Sequence, residues 1–211
     1  MMSSSNLRPG LYAITDSELL PDDRIVGAVE AALAGGAVMV QFRDKRPTDS
    51  NKRGIAAALR DRCRAYGAPL IINDDVTLAA EIAADGVHLG LNDADLDEAR
   101  QQLGPDAIIG ATCHDSVARA ERVANHPASY VAFGRFFPSK TKDSAPPCAL
   151  SVLQESAHLP VPRVAIGGIR VDNAPQVIAA GADLVAVAHG LFSASDIQEQ
   201  ARAFADLFDN D

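Results

Sequence analysis

Seven short polar groups in this 211-residue chain hold the side chains able to do chemistry. They are QFRDK (41–45), NDD (73–75), ND (92–93), TCH (112–114), SKTK (139–142), GGI (167–169) and AHG (188–190). Gathered at one place, they would set Arg43, Lys45 and Lys142 beside Asp74 and Asp93. Carboxylate oxygens suit Mg²⁺, while Lys and Arg suit the remaining oxygens of a metal-bridged polyphosphate. The paired glycines of VAIGGI (164–169), with AHG further along, suit a monophosphate approached by backbone amides. Neither pattern names its ligand.

Each residue also has a plainer account. Taken alone, Asp74 and Asp93 read as solvated turn residues, and Lys45 and Arg46 as solvent-facing loop cations. Cys63 reads as a small core residue on a helix. His88, flanked by Val87 and Leu89, reads as a hydrogen-bonded barrel residue, not a metal ligand. Cys113 and His114 resemble a nucleophile and its base, but adjacent strand residues point to opposite faces. Thr112 is therefore expected to face the ligand and Cys113 the helices. His126 and His158 fall in helix-to-strand connections, at the end of a barrel that serves stability.

The polar groups must be positioned by something, and short apolar β-branched runs precede nearly all of them. Eight such runs occur, at 11–14, 38–42, 70–72, 87–89, 108–111, 130–133, 164–166 and 184–187. They lack a clean polar alternation, as expected of parallel strands buried on both faces. Helical periodicity separates them: Ile55, Leu59, Cys63 and Tyr66 share one predicted face, as do Leu150, Leu153 and Ala157. Ile197, Ala201, Phe204 and Phe208 share another behind a predicted N-cap at Ser195. Glycines in AGGA (34–37) and AAGAD (179–183) end two of the helices. Eightfold alternation leaves a (β/α)₈ barrel or a doubly wound open sheet. The barrel is favoured: GLYAITD (10–16) stands where a GxGxxG would follow a first strand, and polar residues end many strands. A single compact α/β barrel domain over 1–211 is expected, with 1–7 as a flexible N-terminal segment.

Composition agrees with a folded protein in a reducing cytoplasm. Hydrophobic residues make up 47% and charged residues 22%, which excludes a disordered chain. The 28 acidic residues outnumber 19 Lys and Arg, giving −9 and arguing against general nucleic-acid binding. Uncharged apolar stretches such as 31–42 reach about 12 residues, short of the roughly 18 a membrane span needs. The start lacks the apolar core of a signal peptide. Three cysteines without a CxxC spacing make a disulfide framework unexpected.

From GLYAITD to AVAHGLF the chain resembles the thiamine-phosphate synthase family, on the successive markers QFRDK, LIINDD, ADGVHLG, IIGATCHDS, YVAFGRFFPSKTK and VAIGGI. The resemblance implies a (β/α)₈ barrel that uses Mg²⁺. It implies that Gln41, Arg43 and Lys45 hold a pyrimidine diphosphate with Asn73, that Thr112 lies near the pyrimidine, and that Lys142 reaches the diphosphate. Asp74 and Asp93 would be the magnesium ligands. Ser139, Thr141, Gly168 and the pair Ala188–His189 would contact thiazole phosphate. Some positions depart from the family pattern: Leu91–Asn92 replace a common Gln-Glu, Ser139 a Thr, and His189 a frequent Ser.

The implied reaction joins 4-amino-2-methyl-5-(diphosphooxymethyl)pyrimidine to thiazole phosphate, giving thiamine phosphate and diphosphate. Arg43, Lys45 and Lys142 would stabilise the leaving group. Partners would be small phosphorylated molecules, and the sequence leaves an oligomer open. A related thiazole tautomerase could dispense with the diphosphate cations and metal aspartates, so Arg43, Lys45, Asp74, Asp93 and Lys142 favour the synthase. They also disfavour a non-enzymatic phosphate-binding barrel.

Overall fold

The computed structural model describes residues 7–46, 51–91, 93, 95–125, 127–138 and 147–209. Eight parallel strands close in sequence order: β1 (Gly10–Ile14), β2 (Met39–Phe42), β3 (Leu70–Asn73), β4 (Gly86–Leu89), β5 (Ile108–His114), β6 (Tyr130–Phe133), β7 (Arg163–Ile166) and β8 (Leu184–Val187). β8 returns to β1 with Gly10 opposite Leu184 and Ala13 opposite Val187. Between and after them lie α1 (Asp22–Ala34), α2 (Lys52–Ala65), α3 (Val76–Glu81), α4 (Leu96–Leu103), α5 (Val117–Ala124), α6 (Ser151–Glu155), α7 (Ala174–Ala179), α8 (His189–Phe192) and α9 (Ile197–Ala205). The architecture is the expected (β/α)₈ barrel.

Period-two geometry divides the strand residues between two cores. Tyr12, Met39, Ile71, Tyr130, Val164 and Leu184 fill the barrel interior. Their neighbours Leu11, Val40, Ile72, Val131, Ala165 and Val185 face the helices. Leu7 packs against the interior cluster, while the rest of the expected N-terminal segment lies outside the described residues. Gly110 sits at an inward position of β5, where an added Cβ would lie 2.0 Å from Tyr130 Cζ and 2.6 Å from His88 Nδ1. That missing side chain makes room for two polar rings inside the barrel.

Some local expectations need correction. β5 runs to His114, with a register shift between Thr112 and His114. The N-cap of α9 is Asp196, whose side chain accepts from the Glu199 amide at 3.0 Å; Ser195 lies one residue too early. Tyr66 leaves the buried face because α2 has ended there, and it is exposed. Ala157 lies past the end of α6 and is exposed for the same reason.

At the N-terminal end of the strands, Arg100 ties loops together. Its guanidinium donates to the carbonyls of Gly104 and Pro105 at 3.0 Å and of Pro127 at 2.9 Å, and also to that of Ala107. Removing it leaves those acceptors without their donor, at a cost of about 1–3 kcal/mol. We expect Arg100→Met to lower the urea midpoint accordingly while kcat stays within twofold; a collapse of kcat in the folded variant would contradict this division of the barrel.

Candidate active site

The C-terminal ends of the strands surround a cavity of about 480 Å³. Gln41, Arg43, Lys45, Asn73, Asp74 and Asp93 line one part of it. Gly168, Ala188 and His189 line another, and Thr112 also faces it. Ile14, Ala132, Val164, Ile166 and Ala186 give the same cavity an apolar wall. The structure thus brings together every sequence-derived site residue that it describes. Ser139, Thr141 and Lys142 lie outside the described residues, as do Asn92 and His126.

The cationic side is built by the turn after β2. The fully buried Thr15 hydroxyl accepts from the Arg43 amide at 2.9 Å and donates to the Arg43 carbonyl at 3.3 Å, fixing where that strand exits. Beyond it the cations diverge. Arg46 turns outward to Asp44 at 2.7 Å and Asp22 at 2.6 Å, so it is neither ligand-facing nor an unpaired solvent cation. Lys45 turns inward and pairs with Asp74.

Asp74 has a left-handed backbone, with φ of 63°. Its amide donates to the His88 carbonyl at 2.9 Å, and its carboxylate accepts from Asn73 Nδ2 at 2.6 Å. Asp75 instead caps α3, accepting from the Leu78 amide at 2.8 Å. Asp93 accepts from the Gly90 amide at 2.6 Å. Burial, and then the neighbouring Asp74 carboxyl, push the Asp93 carboxyl above its ordinary range. Two crowded carboxylates beside cations are the groups here that could hold a divalent ion.

On the far side, Gly168 has φ of 65°, and an added Cβ would stand 2.3 Å from the Pro138 carbonyl oxygen. A side chain there would therefore strike the loop after β6 before it reached any ligand. His189 opens α8, and its ring lies 3.3 Å from the Ser193 hydroxyl. The side chain turns along its own helix, so its substitution for Ser leaves the backbone at the cavity.

Sequence reasoning passed over Tyr12 and Tyr130 in the floor and Arg135 and Arg170 at the mouth. Tyr12, Tyr130 and His88 form a buried hydrogen-bonded chain with Gln41 and Thr112, and His114, Arg135 and Arg170 also line the mouth. The available signal was parity. Tyr12, Gln41, His88, Thr112 and Tyr130 all occupy inward positions of apolar strands, where a polar group needs a partner. The satisfied-barrel reading of His88 is correct, since its ring nitrogens lie 2.9 Å from Tyr130 Oη and from Thr112 Oγ1.

A closed barrel with anion-suited groups at its C-terminal mouth defines a class: an α/β barrel with the kind of site in which barrel enzymes bind anionic ligands. The comparisons narrow it. Residues 11–191 match the family model described as thiamine monophosphate synthase. The thiamine-phosphate synthase of Marinobacter nauticus is 52% identical over 202 residues, covering 95% of this chain and 91% of that protein. That of Methylobacillus flagellatus is 50% identical over 209 residues, covering 98% and 100%. The solved thiamine phosphate pyrophosphorylase from Pyrococcus furiosus superposes with a TM-score of 0.86 at 32% identity, covering 98% of this chain and 97% of that one. The chain belongs to the thiamine monophosphate synthase family and is an enzyme of that family. Among the described residues, no helix is long and apolar enough to cross a membrane.

The three cysteines lie outside this chemistry. Cys113 is buried against the helices, as strand parity requires, and burial pushes its thiol up to about 11. Cys148 is also raised to about 11, and Cys63 to about 12. Each folded-state value lies above the unfolded thiol's roughly 8.5, so the stability these protons contribute is complete below that pH and is lost as pH climbs through about 11–12. Cys113→Ala is expected to keep turnover within a few-fold and to shrink the fall in Tm between pH 8 and 10.5. Loss of turnover with a trapped covalent adduct in the parent would restore the nucleophile.

Proposed function

We propose that this enzyme joins 4-amino-2-methyl-5-(diphosphooxymethyl)pyrimidine to thiazole phosphate, releasing diphosphate and giving thiamine phosphate. The observation that carries the reading is a single cavity lined by two differently built polar groups, side-chain cations and carboxylates in one and a glycine-rich backbone in the other, together with an apolar wall. Arg43, Lys45 and Asn73, with Asp74 and Asp93, suit the diphosphate end; Gly168, Ala188 and His189 suit the monophosphate end. Lys142 joins the first, and Ser139 and Thr141 the second, on the family resemblance.

The aminopyrimidine releases electron density toward its methylene carbon, so the C–O bond breaks ahead of attack and diphosphate leaves with the electron pair. Arg43, Lys45 and Lys142 stabilise the growing negative charge. The thiazole nitrogen then donates its lone pair to the methylene carbon, forming the C–N bond. That nitrogen has no proton to lose, so the step needs no general base. The apolar wall keeps water from competing for the carbocation. Asp74 and Asp93 would hold Mg²⁺: they are neighbouring carboxylates on the cavity wall, and such ions bind one or two carboxylates plus substrate phosphate oxygens. Bound there, Mg²⁺ supplies Lewis-acid neutralisation of the diphosphate oxygens.

Incubation with both substrates and Mg²⁺ should give thiamine phosphate and diphosphate in equal amounts, with EDTA abolishing both and Mg²⁺ restoring them. Asp74→Ala should lose turnover far more than fold. Undiminished turnover without metal would refute the magnesium site. Lys142→Ala should lower kcat by about 10²–10³-fold, as for removal of one preorganised donor, and leave the thiazole phosphate KM nearly unchanged. A rise in that KM alone would put the lysine on the other substrate.

A further inference from the structure

Beneath the charged mouth, one chain of hydrogen bonds crosses the barrel interior. Gln41 Nε2 donates to Tyr12 Oη at 2.7 Å, and Tyr12 Oη lies 2.8 Å from Tyr130 Oη. Tyr130 Oη lies 2.9 Å from His88 Nδ1, and His88 Nε2 lies 2.9 Å from Thr112 Oγ1. The rings are held edge-on between the tyrosines, with centroids 5.9 Å apart, and stacked between Tyr130 and His88 at 5.6 Å. Gly110 supplies the space for the last two.

Counting protons gives this chain a direction. A phenol has one proton to donate, and burial keeps both phenols protonated by raising them well above the ordinary tyrosine value. Tyr12 Oη accepts from Gln41, so its own proton goes to Tyr130 Oη. Tyr130 in turn donates to His88 Nδ1, which must be the unprotonated nitrogen. With Nδ1 accepting, a ring proton sits on Nε2 and is donated to Thr112 Oγ1. The Thr112 hydroxyl is left with its proton to offer elsewhere. At the other end, Gln41 is only 3% exposed, and its Oε1 has no hydrogen-bond partner among the described residues while the side chain lines the cavity.

We propose that Tyr12, Tyr130 and His88 are positioning residues that set the hydrogen-bond polarity of the pyrimidine pocket, presenting Gln41 Oε1 as an acceptor and the Thr112 hydroxyl as a donor. This rests on the proposed reaction and deepens it. An exocyclic amine brings N–H donors that match the Gln41 oxygen, whereas an oxo group at the same ring position would set oxygen against oxygen. The polarity therefore selects an aminopyrimidine over its oxo isostere. Turning the Gln41 amide over would reverse every bond, placing the His88 proton on Nδ1 and leaving the pocket with the opposite preference.

The tautomer of His88 can be read in the free, full-length ¹⁵N-labelled protein by long-range ¹H–¹⁵N correlation, with His88→Gln assigning the signal. A protonated Nε2 with a bare Nδ1 is expected. A proton on Nδ1, alone or with one on Nε2, would overturn the proposal. The second measurement is kcat/KM for the 4-amino substrate against its 4-oxo analogue. Tyr130→Phe, which interrupts the chain without touching the mouth, should cut that preference by about 10-fold or more. Thr112→Val should lower kcat/KM for the amino substrate to a similar degree, and Thr112→Ser should restore it. An unchanged preference in folded Tyr130→Phe, or a Thr112→Val as active as Thr112→Ser, would overturn the assignment. Should Tyr130→Phe fail to fold, the Thr112 pair and the wild-type tautomer still decide. Because the tautomer is read without substrates, a wild type that makes no thiamine phosphate would refute the proposed reaction, while the polarity stands or falls separately.

Discussion

Closure of the sheet is the constraint on which the rest of the molecule depends. Once β8 pairs with β1, no strand is left with an open edge, and every strand must divide its side chains between a narrow interior and the helices outside. Each strand's identity is then decided by parity. On β4, Val87 and Leu89 belong to the helix side and His88 to the interior. On β5, Thr112 faces the cavity and Cys113 the helices. The same division places the end of every strand at one mouth, and residues far apart in the chain meet there.

Polar groups can occupy that interior only in company. A buried phenol, amide or imidazole without a partner would cost about 1–3 kcal/mol, and the described chain from Gln41 to Thr112 meets the requirement by linking five strands. Partnership also restricts: a phenol that accepts from one side must donate to the other, so hydrogen bonds that stabilise the floor also give it a direction. At the mouth the balance differs. Asp74 and Asp93 crowd each other, and Lys45 offsets only part of the resulting charge. Between Gln41 and Thr112 the floor is satisfied from within, whereas the rim retains charge for a ligand to neutralise.

The barrel itself is shared with enzymes of other activities. A solved 3-hexulose-6-phosphate synthase superposes with a TM-score of 0.70 at 17% identity, a likeness of fold alone. What separates this chain from a barrel of the same fold is which side chains stand at the strand ends, a property of sites and not of architecture. The opposite end of the barrel carries a different kind of constraint, seen in the carbonyls gathered by Arg100.

Much of this was legible in the residues themselves. Eight apolar runs marked the strands to within a few residues, because strands buried on both faces leave little room for polar side chains. The polar groups ending those runs pointed to Gln41, Arg43, Lys45, Asn73, Asp74 and Asp93, and strand parity turned Cys113 away from the chemistry. Helix ends were less legible: the caps at Asp196 and Tyr66 follow from where the chain leaves its partners, which a local periodicity does not record. Only the tertiary structure paired Tyr12 with Tyr130, residues 118 apart in sequence, and put His88 between Tyr130 and Thr112. It alone showed that Arg46 is occupied by Asp22 and Asp44 while its neighbour Lys45 meets Asp74. Strand period is a local property of the backbone, so the sequence carried it; hydrogen-bond partners are chosen by barrel closure, which brings together groups that no local pattern connects.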